Sequence, residues 1–423
     1  MDTFDGIRAL VVGMAREGTA LARFLAQGGA QVTVTDVKEA DALADRLAAL
    51  QDLPIELALG GHPVALLDGT EIVFVSPGVP LDIPLLAEAR RRGLPLSSET
   101  RLFTRLCPAP IVGITGSSGK TTTTALTGEM LDTSGRRTWV GGNIGQPLIG
   151  HLGEITATDT VVMELSSFQL DFFGPWPSSV GGRRIDEPEA AALFDPAGWS
   201  PPIGAILNIT PNHLDRHPTM EAYVAAKRQI LAHQRPGDVA VLGLDNAVAR
   251  QLGEDLAAVR RPSASSGSRP VLWFSMEQEV EAGAFLRGQE MVLRLPGVDA
   301  VVCRTDDVRL LGQHNVANTL AAFALAGAAG APVNALRRVA TTFRGVAHRL
   351  ELVLERDGVR WYNDSIATSP ERTVAALRAF EDPIVLLAGG RDKHLPWDEM
   401  AAVTRRKVRH LLLFGEAANQ IES

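Results

Sequence analysis

The chain has 423 residues, 45% of them apolar, and a formal net charge of −8 at pH 7. This length predicts two or three domains of roughly 100–200 residues, and the mixed, mildly acidic charge argues against a nucleic-acid-binding surface. Cys107 and Cys303 are far apart and read as reduced thiols of a cytoplasmic protein, the acidic N-terminus is not a signal peptide, and no apolar run approaches the ~20 residues of a membrane span.

The first hundred residues alternate strand and helix. Arg8 to Val12 reads as a buried strand, Gly13 to Gly18 as a turn, and Thr19 to Gln27 as an amphipathic helix. A second strand, Gln31 to Thr35, ends at Asp36. This is the opening βαβ of a Rossmann-like unit, and an acid there can bind nucleotide hydroxyls or an imide N–H. The dinucleotide fingerprint is incomplete, because Ala15 stands where the middle glycine belongs. A later strand, Glu71 to Val75, runs into Ser76-Pro77-Gly78-Val79-Pro80. That is a rigid loop at a strand's carboxyl end, where open α/β sheets gather ligands.

Residues 109–124, APIVGITGSSGKTTTT, carry the strongest signal. A strand feeds a glycine-rich turn, then Lys120-Thr121, then a helix. Such a turn aims backbone N–H groups and a helix N-terminus at a phosphate. Gly116, Ser117, Ser118, Gly119, Lys120, Thr121 and Thr122 are the expected triphosphate contacts. The spacing departs from G-x-x-x-x-G-K-[ST], since Ile114 occupies the first glycine position.

Further strands are expected at Thr160 to Met163 and Ile203 to Leu207. Residues 174–202, rich in Pro, Gly and Ser, read as a surface insertion, and Pro262 to Pro270 as a flexible loop. Glu164, at a strand tip beside the P-loop, is a candidate holder of Mg²⁺. His213 and Asp215 are candidate metal or phosphate contacts, and His217 reads as a surface residue. Lys227, taken alone, reads as an ordinary exposed helix lysine. Asn315 and Asn318 open a largely buried, Ala-rich helix, where their amides either meet adenine or cap the helix. Arg349 either meets phosphates or forms an interdomain ion pair. Glu351 to Glu355 and Val359 to Asn363 flank Asp357-Gly358, a hairpin signal. Ser369-Pro370-Glu371 opens a helix, and Ile384 to Ala388 and His410 to Phe414 are further strands.

The motifs GITGSSGKTTT, GGNIGQPL, ELSSFQL, NITPNHLDRH, YVAAKRQI, LGQHNVAN, GVAHRLE and NDSIATSP occur in that order. In this the chain resembles the Mur ligases, and among them the branch that adds D-glutamate to UDP-N-acetylmuramoyl-L-alanine. The resemblance implies an α/β protein of three domains: a Rossmann-like UDP-substrate domain (1–108), a central ATP-binding P-loop domain (109–343) and an amino-acid-binding Rossmann-like domain (344–423). It implies UDP-substrate contacts at Gly13, Asp36, Ser76, Pro77, Gly78 and Asn143, and contacts around the nucleotide at Asn318, Arg349 and Asp364. Thr368 and Lys393 would face the incoming glutamate. Two Mg²⁺ ions would be held by Thr121, Glu164, His213 and Lys227, the last as a carbamate. Lys120, Lys227 and His213 would carry the catalysis.

The implied reaction is amide formation through an acyl phosphate in peptidoglycan precursor synthesis, by a cytoplasmic monomer without nucleic-acid or membrane partners. Two departures bear on this. Ile366 stands where many relatives have lysine. The family also continues beyond the point where this sequence stops, so an incomplete amino-acid pocket, weak activity and an exposed apolar edge on the third domain are expected. An L-glutamate-adding variant, another Mur or folylpolyglutamate-type ligase, a P-loop NTPase switch and a non-catalytic nucleotide-binding module remain open at this point.

Overall fold

The computed structural model describes residues 4–176, 192–212, 216–259, 271–367, 369–391 and 396–422. Two compact units divide the chain. The first comprises Met1–Lys120 and Leu131–Leu272, the second Thr121–Met130 and Trp273–Ser423.

The first unit opens with β1 (Arg8–Val12), β2 (Gln31–Asp36), β3 (Ile55–Leu59), β4 (Ile72–Val75) and β5 (Leu96–Ser97). They form one parallel sheet in the order β3-β2-β1-β4-β5. β1 and β4 are apolar almost throughout, as strands covered on both faces must be. The helix after β1 begins at Arg16, earlier than its apolar period suggested, so Gly18 lies in its first turn. Close packing requires a glycine there. A Cβ on Gly18 would sit 2.0 Å from the Gly13 carbonyl oxygen and 2.7 Å from the Ser76 hydroxyl. Gly13 itself has φ +93°.

The same unit holds a second parallel sheet: β6 (Ile111–Thr115), β7 (Thr138–Gly142), β8 (Thr160–Glu164), β9 (Ile203–Ile206) and β10 (Val239–Gly243), in the order β10-β9-β6-β8-β7. The chain leaves β6 for one side of the sheet and later returns to the other. The loop after β6 therefore stands at the switch point, where the carboxyl ends open a crevice. The 174–202 stretch lies partly outside the described residues, as does all of 262–270. Its two described ends are tied down by Arg101. That buried guanidinium donates to the carbonyls of Phe172, Gly174, Asp195 and Ala197 and lies over the Trp176 ring.

In the second unit the strand Val271–Ser275 (β11) pairs in parallel with β12 (Gly283–Arg287). β12, β13 (Glu290–Leu295) and β14 (Val298–Arg304) then form an antiparallel meander. The helix Gln313–Ala328 is buried along most of its length against β12 and β13. The hairpin of β15 (Glu351–Arg356) and β16 (Val359–Asn363) turns at Asp357 (φ 52°) and Gly358 (φ 75°), two left-handed residues as a two-residue turn requires. Ser369 caps the helix Pro370–Arg378 by position, without a side-chain hydrogen bond. β17 (Ile384–Gly389) and β18 (Val408–Phe414) pair in parallel. Ile384, Leu386 and Ala388 pack on the core of Val374, Leu377, Met400 and Val403. Val385, Leu387, Leu412 and Phe414 stay at least half exposed.

A buried polar knot joins the first sheet's helices to the segment after β8. The Gln169 amide donates to Glu17 Oε1 (3.1 Å) and Thr100 Oγ1 (3.0 Å), and accepts from the Ser166 N–H and hydroxyl. Thr100 in turn donates to Glu99 Oε2 (3.2 Å). Burial pushes the Glu17 carboxyl up to about 7, more strongly than the Arg16 charge and the Gln169 bond pull it down. Burial, followed by the Glu17 charge, pushes Glu99 up to about 8. In the folded protein both hold protons that an unfolded chain has lost above pH 4.5. Their contribution to stability is full below that value and is lost as pH rises through about 7 to 8. A melting series from pH 5 to 9 should show a declining Tm, and Glu99→Gln should flatten the decline. An unchanged pH slope in the variant would refute the assignment.

Candidate active site

The strand β6 ends in the turn Gly116–Gly119, and a helix starts at Lys120. Gly116 admits no side chain without pressing on Leu207 Cβ (3.0 Å) and the Ser118 carbonyl (3.1 Å). Gly119 has φ +81°, a value at which any side chain is strained. Asn208, just past the end of β9, fixes the turn's crest. Its carbonyl accepts from the Ser117 N–H (2.9 Å), and its Oδ1 accepts from the Ser118 N–H (2.9 Å) and hydroxyl (3.2 Å). Lys120 Nζ folds back on the Gly116 carbonyl (2.9 Å). This arrangement fits a triphosphate: a glycine-shaped backbone cradle, a mobile ammonium, and helix N–H groups with no carbonyl a turn behind them.

Beneath the turn lies Lys227, on the helix Met220–Ala232. It is 1% exposed, contrary to the ordinary surface lysine that its helix position alone suggests. Nζ donates to the Gly116 carbonyl (3.0 Å) and to Thr115 Oγ1 (3.3 Å). Burial, reinforced by the Lys120 charge, holds this amine well below the usual lysine range. The Glu164 carboxylate opposes that shift and does not overcome it. Glu164 is itself 2% exposed, at the end of β8 and in register with Ile114. Asn143 Nδ2 donates to Glu164 Oε1 (2.8 Å), and the Asn143 N–H donates to the Glu164 carbonyl (2.9 Å). Gly142 makes this closure feasible, since a Cβ there would lie 2.3 Å from that carbonyl.

Tyr223, four residues before Lys227 on the same helix face, is a site residue that the sequence reading passed over. Ser117 donates its one hydroxyl hydrogen to the Thr210 carbonyl (3.0 Å) and accepts from the Thr210 N–H (2.9 Å). The Tyr223 hydroxyl, 3.0 Å away, is therefore the donor to Ser117 Oγ. His217 corrects its surface reading: it is 6% exposed, its Nε2 is 2.9 Å from Ser167 Oγ, and it stacks on Phe168 and tilts against Tyr223. The flanking aromatics, which the local sequence does not bring together, account for its burial. The i, i+4 pairing of Tyr223 with Lys227 was the available signal for the tyrosine.

The first sheet forms a second cluster. Asp36 accepts from the Met14 N–H (2.7 Å) and the Lys38 N–H (2.9 Å), so it shapes the Gly13 turn. Ser76 Oγ donates to the Gly13 carbonyl (2.8 Å), seating the 76–80 loop on that turn. In the second unit, Arg349 Nη2 donates to Thr121 Oγ1 (3.2 Å), and Thr123 Oγ1 to Asn318 Oδ1 (3.5 Å). Arg349 lies between His348 (φ 63°) and Leu350 (φ 43°), and Asp364 holds this strained turn through the Leu350 N–H (3.0 Å). Burial raises the Asp364 carboxyl above its ordinary value. His213, Asp215, Thr368 and Lys393 lie outside the described residues. Among the described residues no group of three His, Cys, Asp or Glu gathers as a metal site. The Glu164 carboxylate and the Thr121 hydroxyl are hard oxygen donors of the kind that suit Mg²⁺.

Residues 114–175 and 195–326 match the model of the Mur ligase middle domain, and residues 7–98 match that of the "Mur ligase MurD-like, N-terminal domain". The UDP-N-acetylmuramoylalanine–D-glutamate ligase of Clostridium novyi (strain NT) is 41% identical over 97% of this chain and 81% of its own length. The enzyme of that name from Roseiflexus sp. (strain RS-1) is 44% identical over 96% of this chain and 83% of its own. Among solved structures, UDP-N-acetylmuramate-alanine ligase MurC from Thermotoga maritima superposes with a TM-score of 0.59 at 18% identity, covering 98% of this chain and 87% of that one. MurF from Acinetobacter baumannii gives 0.57 at 17%, covering 99% and 80%. At those identities the likeness is one of fold.

Tyr223→Phe tests the support of the phosphate turn. Losing one neutral hydrogen bond removes about 1 kcal/mol. Binding of a non-hydrolysable ATP analogue should weaken about fivefold, with a near-native melting profile. Unaltered nucleotide affinity would show that the tyrosine does not position the turn.

Proposed function

The chain belongs to the Mur ligase family, and we propose that it joins D-glutamate to UDP-N-acetylmuramoyl-L-alanine, driven by ATP, in peptidoglycan precursor synthesis. The observation that carries this reading is the carboxyl edge of the β6–β8 sheet. There the Gly116 carbonyl of the triphosphate turn takes both Lys120 and the buried amine of Lys227, and the buried carboxylate of Glu164 ends the neighbouring strand. The relatives named above support the choice of substrates.

A carboxylate resists attack by an amine because its charge repels the nucleophile and oxide is a poor leaving group. Transfer of the γ-phosphoryl group of ATP to a carboxylate oxygen gives an acyl phosphate and ADP. The amine of glutamate then adds to the acyl carbon, the tetrahedral intermediate expels phosphate, and the nitrogen loses a proton to leave an amide. The protein's part is to position the reactants and neutralise charge.

Gly116–Gly119 cradles the phosphates, and Lys120 swings from the Gly116 carbonyl to the transferring group. Asn143, held against Glu164, faces the muramoyl end. Glu164, Thr121, His213 and Lys227 would hold the two Mg²⁺ ions. Bound there, the metal would neutralise phosphate charge. Lys227 has a second requirement, since only a neutral amine adds CO₂. Burial beside Lys120 favours that form, and addition of CO₂ with release of one proton would give a carbamate, replacing a neutral amine with an anionic oxygen ligand. Asn318, Arg349 and Asp364 serve the nucleotide, Gly13, Asp36 and the Ser76-Pro77-Gly78 loop the UDP end, and Thr368 and Lys393 the incoming amino acid. The reaction takes place in the cytoplasm, where ATP is supplied.

Phosphate release from ATP should require both the muramoyl substrate and D-glutamate, with L-glutamate a poor replacement. Equal turnover without the muramoyl substrate would sink the ligase reading. Lys227→Ala should abolish turnover, and added bicarbonate should not restore it.

A further inference from the structure

Arg216 follows the candidate metal residue His213 by three positions, yet its guanidinium serves a different part of the fold. Nη1 donates to the Gly78 carbonyl (3.1 Å), and Nη2 donates to those of Pro77 (3.2 Å) and Val79 (2.9 Å). Three successive carbonyls of one loop thus converge on one cation. The guanidinium lies over the Phe168 ring, 4.8 Å from its centroid. Asp171 lines the same small cleft with Phe168; burial raises its carboxyl to about 6, and the Arg216 charge opposes that rise. Planar, forked donors over an aromatic face are a task for arginine, and lysine cannot reproduce them.

The consequence for the loop is geometric. In a trans peptide the N–H points opposite to the preceding carbonyl. Turning the Pro77 carbonyl onto Arg216 turns the Gly78 N–H away from it. Gly78 is open on its side-chain face, with nothing within 4 Å of a Cβ placed there. The turn is closed from within by the Val79 N–H on the Ser76 carbonyl (3.0 Å), and Ser76 is anchored to Gly13. The Pro77–Gly78 peptide takes no part in that bond, and Arg216 holds its carbonyl.

We propose that Arg216 is a positioning residue for the nucleotide-diphosphate end of the muramoyl substrate, aiming the Gly78 N–H at a hydrogen-bond acceptor of that ligand. The proposal rests on the substrate reading above. It further implies that the segment carrying His213 and Arg216 serves both substrates of the phosphoryl transfer from one short stretch of chain.

The test is a KM split. Arg216→Met should raise the KM for UDP-N-acetylmuramoyl-L-alanine about tenfold or more, roughly the worth of one charge-assisted hydrogen bond. The KM for ATP and kcat should stay within about twofold. Arg216→Lys should fall between, because it donates from a single point. Direct titration with UDP alone should show the same ranking. Equal losses for both substrates, or an unchanged muramoyl-substrate KM in both variants, would overturn the proposal. Should Arg216→Met fail to fold, the Lys variant decides by the same split. A wild-type chain that neither binds UDP nor responds to the muramoyl substrate would instead sink the functional reading.

Discussion

The buried amine of Lys227 is the constraint around which the central sheet is arranged. A lysine nitrogen removed from water must find acceptors or lose its proton. Here it finds the hydroxyl of Thr115, the last residue of β6, and the carbonyl of Gly116, the first of the phosphate turn. The helix that carries Lys227 is thereby docked under the turn. Tyr223, one helical turn earlier, engages Ser117 from the same face. Glu164 reaches the same edge because β8 lies beside β6, and Gly142 lets Asn143 close over it. Lys227 and Tyr223 sit on one helix face and Thr115, Gly142 and Glu164 at strand ends, so the site takes its precision from regular elements.

Residues 208–210 and 216–217 then work as a junction. Asn208 and Thr210 hold the phosphate turn. Arg216 holds the 77–79 loop, and His217 packs between Phe168 and Tyr223. Gln169 spends all four of its side-chain hydrogen-bonding positions on Ser166, Glu17 and Thr100. The two parallel sheets of the first unit are joined by polar groups in specific directions as well as by apolar contact. Such a joint resists small rotations better than a greasy one, because each bond has a preferred angle.

Much of this was legible in the sequence, for identifiable reasons. β1, β2, β6 and β8 are short apolar runs bounded by glycine or an acid, and their limits fall within a residue of the reading. The phosphate turn declares itself through glycine, lysine and threonine in fixed order. The hairpin at Asp357-Gly358 declares itself through backbone sterics. By contrast, the roles of Arg101, Arg216, His217 and Tyr223 depend on partners 50 to 139 positions away in the chain. Periodicity carries no information about such partners. Lys227 is the sharpest case: an isolated helix sequence cannot distinguish a solvated ammonium from a buried one. The meander β12–β14 was missed because charged residues interrupt its apolar pattern and its turns are built on single glycines.

The parallel pair β17–β18 has one face filled by helices and the other formed by Val385, Leu387, Leu412 and Phe414. Two strands are too few to bend away from solvent or to shield their own edges. An apolar face of this kind lowers the free energy of any state in which it is covered, whether by chain, by a second molecule or by a surface. Wherever this face is left open, covering it depends on concentration and ionic strength. High salt, which screens the surrounding charges and leaves the apolar attraction intact, moves the balance toward association.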